Sequence, residues 1–182
     1  MNYGKILYYD TANGIGCRTV LFVSGCRHHC KECFNPETWD FCYGTPYTSE
    51  TEKKIITSMN HPYIHGLSIL GGEPFEPENQ KTICSLVTTA KQLLPDKTIW
   101  MYSGYLWEEL TGQKTPARNL KCRTEHTDQI LQHIDILVDG EYDRTKRNIM
   151  LNFRGSENQR IIDVQKSLQN PALPPTEAAQ YL

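Results

Sequence analysis

The sequence has no long apolar run. Stretches such as "ILV" in "HIDILVDGE" are far too short to cross a bilayer. It has no excess of either charge: 19 Lys and Arg against 21 Asp and Glu leave a formal net charge of −2, with no basic face for nucleic acid and no acidic tail. The first residues, "MNYGKILYYDTANGIG", lack the apolar core and small-residue cleavage site of a signal peptide. No internal repeat of fixed period is visible. These absences predict a soluble cytoplasmic protein with neither a membrane nor a nucleic-acid partner. A closed set of disulfides is also missing, because the cysteines number seven. In a reducing compartment a tight cysteine cluster more often binds metal than pairs with itself. At 182 residues the chain fits one domain that buries roughly 70% of its unfolded surface, so its core requires no staple.

What is present alternates. "TVLFVSG" (Thr19–Gly25) is β-branched and aromatic and ends at glycine, the pattern of a buried strand. Ser49 with Glu52 three residues on predicts a capped helix over Ser49–Asn60. "GLSILGG" (Gly66–Gly72) is a second strand. Ile83, Leu86, Val87, Ala90, Leu93 and Leu94 then recur at helical spacing before Pro95. "KTIWMYSGY" (Lys97–Tyr105) predicts a third strand and turn, "YLWEELTG" and "TDQILQHI" two short helices, and "DILVDGEY" a fourth strand. The expected fold class is α/β, with a parallel sheet and crossover helices. Thr111–His126 reads as a polar surface loop. Residues 1–165 are expected as the domain and 166–182 as a loosely ordered tail.

The chemistry-bearing residues follow strands: Cys26–Cys33, Gly71–Pro74, Ser103–Tyr105 and Asp139–Glu141. In α/β folds that rim is where ligands bind. Within it, "GCRHHCKECFN" spaces Cys26, Cys30 and Cys33 as C-x3-C-x2-C. Structural zinc wants four ligands; there is no second C-x2-C, and a fourth ligand from His28 or His29 would be cramped in so tight a loop. These two histidines are expected as exposed loop side chains. A 4Fe–4S cluster held by three cysteines keeps one iron open for a substrate. Cys17, Cys42, Cys84 and Cys122 are not expected as ligands; Cys84 reads as a core residue, Cys122 as a surface thiol. Trp39 is expected to pack the cysteine loop.

"CRHHCKEC" resembles the cluster loop of radical S-adenosylmethionine enzymes, and "LGGEP" their methionine-binding motif. "MNYGKILYYD", "NGIGCRTVLFVSGC", "CFNPETW", "GLSILGGEPFEPEN", "KTIWMYSGY", "ILVDGEY" and "FRGSENQR", in that order, resemble the activating proteins of anaerobic (class III) ribonucleoside-triphosphate reductase. The departures are Ile15 for a proline, Glu73 for an aspartate, and Glu32 where many relatives in the wider superfamily carry an aromatic. The resemblance implies a partial, open β/α barrel. It implies one 4Fe–4S cluster on Cys26, Cys30 and Cys33, with S-adenosylmethionine on its open iron. Gly71, Gly72 and Glu73 would hold the methionine end; Glu32, Cys33 and Phe34 would lie near the cluster or adenine; Ser103, Tyr105 and Asp139 are weaker candidates for the ribose or adenine side. The implied reaction is reductive cleavage of S-adenosylmethionine and hydrogen abstraction from a glycine of the reductase's catalytic subunit, with an electron from a donor such as flavodoxin. No residue is expected to be catalytic beyond cluster and cofactor. Two alternatives remain at this point: an activator of another glycyl-radical enzyme or other small radical enzyme, and a non-catalytic zinc adaptor.

Overall fold

The computed structural model describes residues 1–171 and 173–181. Seven strands form one open sheet: β1 (Asn2–Asp10), β2 (Arg18–Val23), β3 (Thr45–Pro46), β4 (Gly66–Gly71), β5 (Thr98–Tyr102), β6 (Ile136–Asp139) and β7 (Arg160–Asp163). Their order is β3-β1-β2-β4-β5-β6-β7. The centre, β2-β4-β5-β6, is parallel. The edges are antiparallel, β1 and β3 on one side and β7 on the other. The four strands expected from the sequence are thus the parallel centre of a largely parallel sheet, and the antiparallel strands lie at its edges. β1 and β7 were not expected because "NYGKILYYD" is only half-buried and β7 spans four residues, leaving little period to detect.

Among the described residues the α-helices are α1 (Ser49–Met59), α2 (Pro77–Leu93), α3 (Trp107–Leu110), α4 (Thr127–His133) and α5 (Val164–Gln169). α1 is capped one residue earlier than expected. Thr48 exchanges hydrogen bonds with Thr51, so Thr48 and Thr51 form the box rather than Ser49 and Glu52.

The sheet's two faces differ. Leu21, Val23, Leu67, Ile69, Ile99, Met101 and Leu137 meet Ile55 and Met59 of α1, Ile83, Leu86 and Val87 of α2 and Ile130 of α4 in the main core. Alternate residues on the opposite face, Trp100, Ile136, Val138 and Ile161, are covered by Ala178, Tyr181 and Phe153. Within the stretch expected as a loose tail, residues 166–169 belong to α5, and Ala178 returns to the sheet, where its N–H donates to the Ile161 carbonyl at 2.8 Å. At the start of β2, Arg18 is fully buried. Its guanidinium donates to Ser68, to the backbone of Ile15, Leu67 and Thr98, and to the Thr98 hydroxyl. Burial pulls its pKa down to about 10, against the smaller opposing pull of Tyr102 and Asp135. The network satisfies the donors that burial strips from water and seals the end of the sheet opposite the loops described next. No helix among the described residues is long and apolar enough to cross a membrane.

Candidate functional site

The loops at the carboxyl ends of the parallel strands surround one cavity of about 620 Å³. Cys26, Cys30 and Cys33 line it together with Gly71, Gly72, Glu73, Phe34 and Glu32. These eight side chains and glycines, singled out at separate points of the sequence, thus line one cavity. Among the weaker candidates Ser103 lines the cavity too. Tyr105 lies beneath it, its ring edge-on to His28 with centroids 4.4 Å apart. Asp139 is buried in a structural role: it accepts from the Trp107 N–H at 2.8 Å and from Arg160 Nε at 3.0 Å.

The cysteine loop is tied down at its root. Past the end of β2, the N–H groups of Gly25 and Cys26 donate to the carbonyls of Thr38 and Trp39, at 2.8 and 3.2 Å. The N–H groups of Gly72 and Glu73 donate to Val23 and Gly25, both at 2.8 Å, so the glycine turn continues the β2–β4 ladder behind the loop. Arg27 lies over Phe41 and spans Glu76 and Glu78 at the start of α2. Beyond that root the backbone is unusual, with His29 and Glu32 both in the left-handed region at φ 49° and 58°, which non-glycine residues adopt only where surroundings enforce it.

The two glycines have a reason that is internal to the fold. A β-carbon on Gly72 would stand 2.6 Å from the Gly25 carbonyl oxygen and 2.9 Å from that of Thr38. One on Gly71, at φ +112°, would meet Phe22 backbone at 2.8 Å. The close approach these glycines allow is first to the chain's own backbone. Glu73 is likewise engaged: Oε1 accepts from the Phe75 N–H and the Ser103 hydroxyl, at 2.8 and 2.9 Å, and Oε2 from the Gly104 N–H at 2.7 Å.

His28 corrects an expectation. It is 3% exposed, not a surface side chain. Nδ1 is 2.7 Å from Glu141 Oε1, and Nε2 is 3.3 Å from Glu73 Oε2 without hydrogen-bond geometry. Burial alone would lower its pKa, but the two carboxylates outweigh it and hold the ring up at about 9. Cys122 is also corrected, being buried with its thiol 3.4 Å from the Glu109 carbonyl. Cys84 is buried in the core as expected. None of Cys17, Cys42, Cys84 and Cys122 lines the cavity. Trp39 does line it, with His29 stacked on its indole at 4.6 Å.

The donor set suits an iron–sulfur cluster. Burial, followed by the nearby Glu73 charge, pushes the Cys26 thiol well above its usual range. Burial, then Glu141, raises Cys30 to about 11. Metal must displace those protons. Among the described residues no three His, Cys, Asp or Glu side chains converge on one point as ligands of a single ion. Cluster cysteines each take a different iron, so they need not converge. The residues that contact reasoning adds are His28, Glu141, Arg118 and the Arg27–Glu76–Glu78 set. His28 and Glu141 are 113 positions apart, and no local pattern marks them.

A family described as "4Fe-4S single cluster domain" matches residues 12–162. The anaerobic ribonucleoside-triphosphate reductase-activating protein of Vibrio cholerae is 39% identical over 163 residues, 88% of this chain and 97% of that protein. The protein of the same name from Enterobacteria phage T4 is 37% identical over 161 residues, 88% and 93% of the two chains. That of Escherichia coli is 36% identical over 161 residues, 87% and 96%.

Proposed function

This chain belongs to the family of anaerobic ribonucleoside-triphosphate reductase-activating proteins, and we propose that it activates such a reductase by generating a glycyl radical on its catalytic subunit. The observation that carries this is the joint lining of one cavity by Cys26, Cys30, Cys33 and the Gly71–Glu73 turn, in a chain that matches a 4Fe-4S domain over most of its length. Cys26, Cys30 and Cys33 would hold the cluster as thiolates. When bound, a 4Fe–4S cluster with an open iron supplies one electron to S-adenosylmethionine and so the hydrogen-abstracting power the reaction requires.

The chain's own residues bind, position and shield. The Gly71–Gly72 backbone, held against β2, offers a rigid edge for the methionine end. Glu73 lends negative charge there through a carboxylate already fixed by three hydrogen bonds. Phe34, 87% exposed on the rim, would cover the adenine side, and Glu32 is kept beside it by its ion pair with Arg144. Trp39, Phe153 and Tyr102 supply apolar wall, and excluding water from such a site protects a reactive species. We take the open sheet as a partial β/α barrel whose missing side admits the partner's glycine loop. A cytoplasmic setting, a one-electron donor such as flavodoxin, and no membrane or nucleic-acid partner complete the proposal.

The test is anaerobic reconstitution with iron and sulfide, followed by EPR of the reduced protein with and without S-adenosylmethionine. Mixing with the reductase catalytic subunit follows. A cluster signal that changes on adding the cofactor, then a glycyl radical on the reductase, is the expected result. Zinc retained with no cluster would sink the proposal.

A further inference from the structure

The Thr111–His126 loop reaches the cysteine loop through one side chain. Arg118 Nη1 donates to the His28 carbonyl at 2.9 Å, and Nη2 pairs with Glu141. Glu141 in turn holds His28 Nδ1. Three segments distant in sequence thus close on His28: the arc between Cys26 and Cys30, the turn after β6, and the long loop. The His28 ring packs on Gly104, where a β-carbon would stand 2.7 Å from it, and edge-on to Tyr105 with centroids 4.4 Å apart. Arg118 fastens the outer side. Its own backbone is left-handed, φ 56°, a conformation that costs a side-chain-bearing residue free energy and marks a place where the surroundings impose an orientation.

We propose that Arg118 is a positioning residue for the cysteine loop: it fixes the His28 backbone midway between Cys26 and Cys30 and so holds those two thiols at the spacing a cluster demands. The chemistry is specific to a guanidinium, which reaches a carbonyl and a carboxylate at once with a planar fork. Arg118 and Glu141 are half-exposed, and such a pair adds little to global stability. The effect of removing it is local. The arc, whose next residues His29 and Glu32 are themselves left-handed, loses its outer tether.

The cluster half of this inference rests on the proposed function; the tether half does not. Hydrogen exchange of the metal-free protein separates them. In Arg118→Ala, amides between Arg27 and Cys33 should exchange roughly tenfold faster, the worth of one charge-assisted hydrogen bond, with the melting temperature unchanged. Arg118→Lys, keeping one arm, should recover part of the protection. Glu141→Gln provides a second route should Arg118→Ala fold poorly, and it should loosen the same amides. Reconstituted Arg118→Ala should surrender iron to a chelator about tenfold faster than the parent. Unchanged exchange of the arc overturns the proposal, as does a loss of protection spread over the whole chain with a lower melting temperature. Faster exchange at the arc with unchanged iron release keeps the tether but overturns its role toward the thiols. A parent protein that takes up no cluster sinks the proposed function instead, and the exchange data still decide the tether.

Discussion

Gly72→Ala separates two reasons for a glycine at the cavity. If Gly72 serves only to let a ligand approach, the metal-free protein should tolerate alanine and gain about 0.4–1 kcal/mol from a stiffer unfolded chain. The structure requires the opposite. The new β-carbon would stand 2.6 Å from the Gly25 oxygen, so that oxygen must retreat by roughly 0.7 Å to reach an ordinary C···O distance of about 3.3 Å. The same oxygen accepts the Glu73 N–H at 2.8 Å, and retreat breaks that bond, at a cost of about 0.5–1.5 kcal/mol. Overpacking against backbone that cannot rotate away adds about 1–3 kcal/mol. After subtracting the unfolded-state gain, the net loss is about 0.5–4 kcal/mol, which at about 2–4 °C per kcal/mol for a chain of this size is roughly 1–16 °C in melting temperature. Urea and thermal unfolding of metal-free protein measure it. Because Gly25 adjoins Cys26, cluster uptake should fall as well. A metal-free Gly72→Ala protein as stable as its parent would refute the backbone explanation.

Cys30→Ala should abolish cluster uptake and S-adenosylmethionine cleavage while leaving metal-free stability within about 1 kcal/mol, a partly exposed thiol being lost; global unfolding of the variant would instead indicate a structural metal. Phe34→Ala should leave the melting temperature unchanged, since an exposed side chain contributes within about 0.5 kcal/mol, yet weaken S-adenosylmethionine binding to reconstituted protein by calorimetry. Intact binding removes Phe34 from the site. Glu108, hydrogen-bonded to Arg160, is held below its ordinary pKa. Its stabilisation is therefore complete above about pH 4.3 and is lost as the pH falls through its folded value. Glu108→Gln should flatten the acid side of a urea-stability profile, and an unaltered slope there would discount the pair.

The parts of this molecule that could be read from the chain are those built from neighbours. β2 is buried along its whole length, so "TVLFV" shows as a continuous apolar run; α2 shows as a 3.6-residue period; the thiols show as a spacing. Because each loop of interest follows a parallel strand, the rim could be assembled from strand ends alone, and the cavity lies there. The unread parts are long-range or contrary to type. His28 looks like a solvated loop residue until Glu73 and Glu141 arrive from the ends of two other strands. Cys122 looks like a surface thiol in "NLKCRTEH" until its thiol meets the Glu109 carbonyl and Gln80 of α2 donates to its own carbonyl. The tail looks loose because proline and alanine carry no period, yet Ala178 and Tyr181 cover Trp100 on the sheet's second face. The glycine turn is the instructive intermediate case. Its position and residue types were legible, but not the neighbours that forbid a side chain at Gly72, which are the backbone of Gly25 and Thr38. A turn so determined by its own backbone is fixed before any ligand arrives, and the edge it would offer to the proposed cofactor costs no reorganisation at the moment of binding.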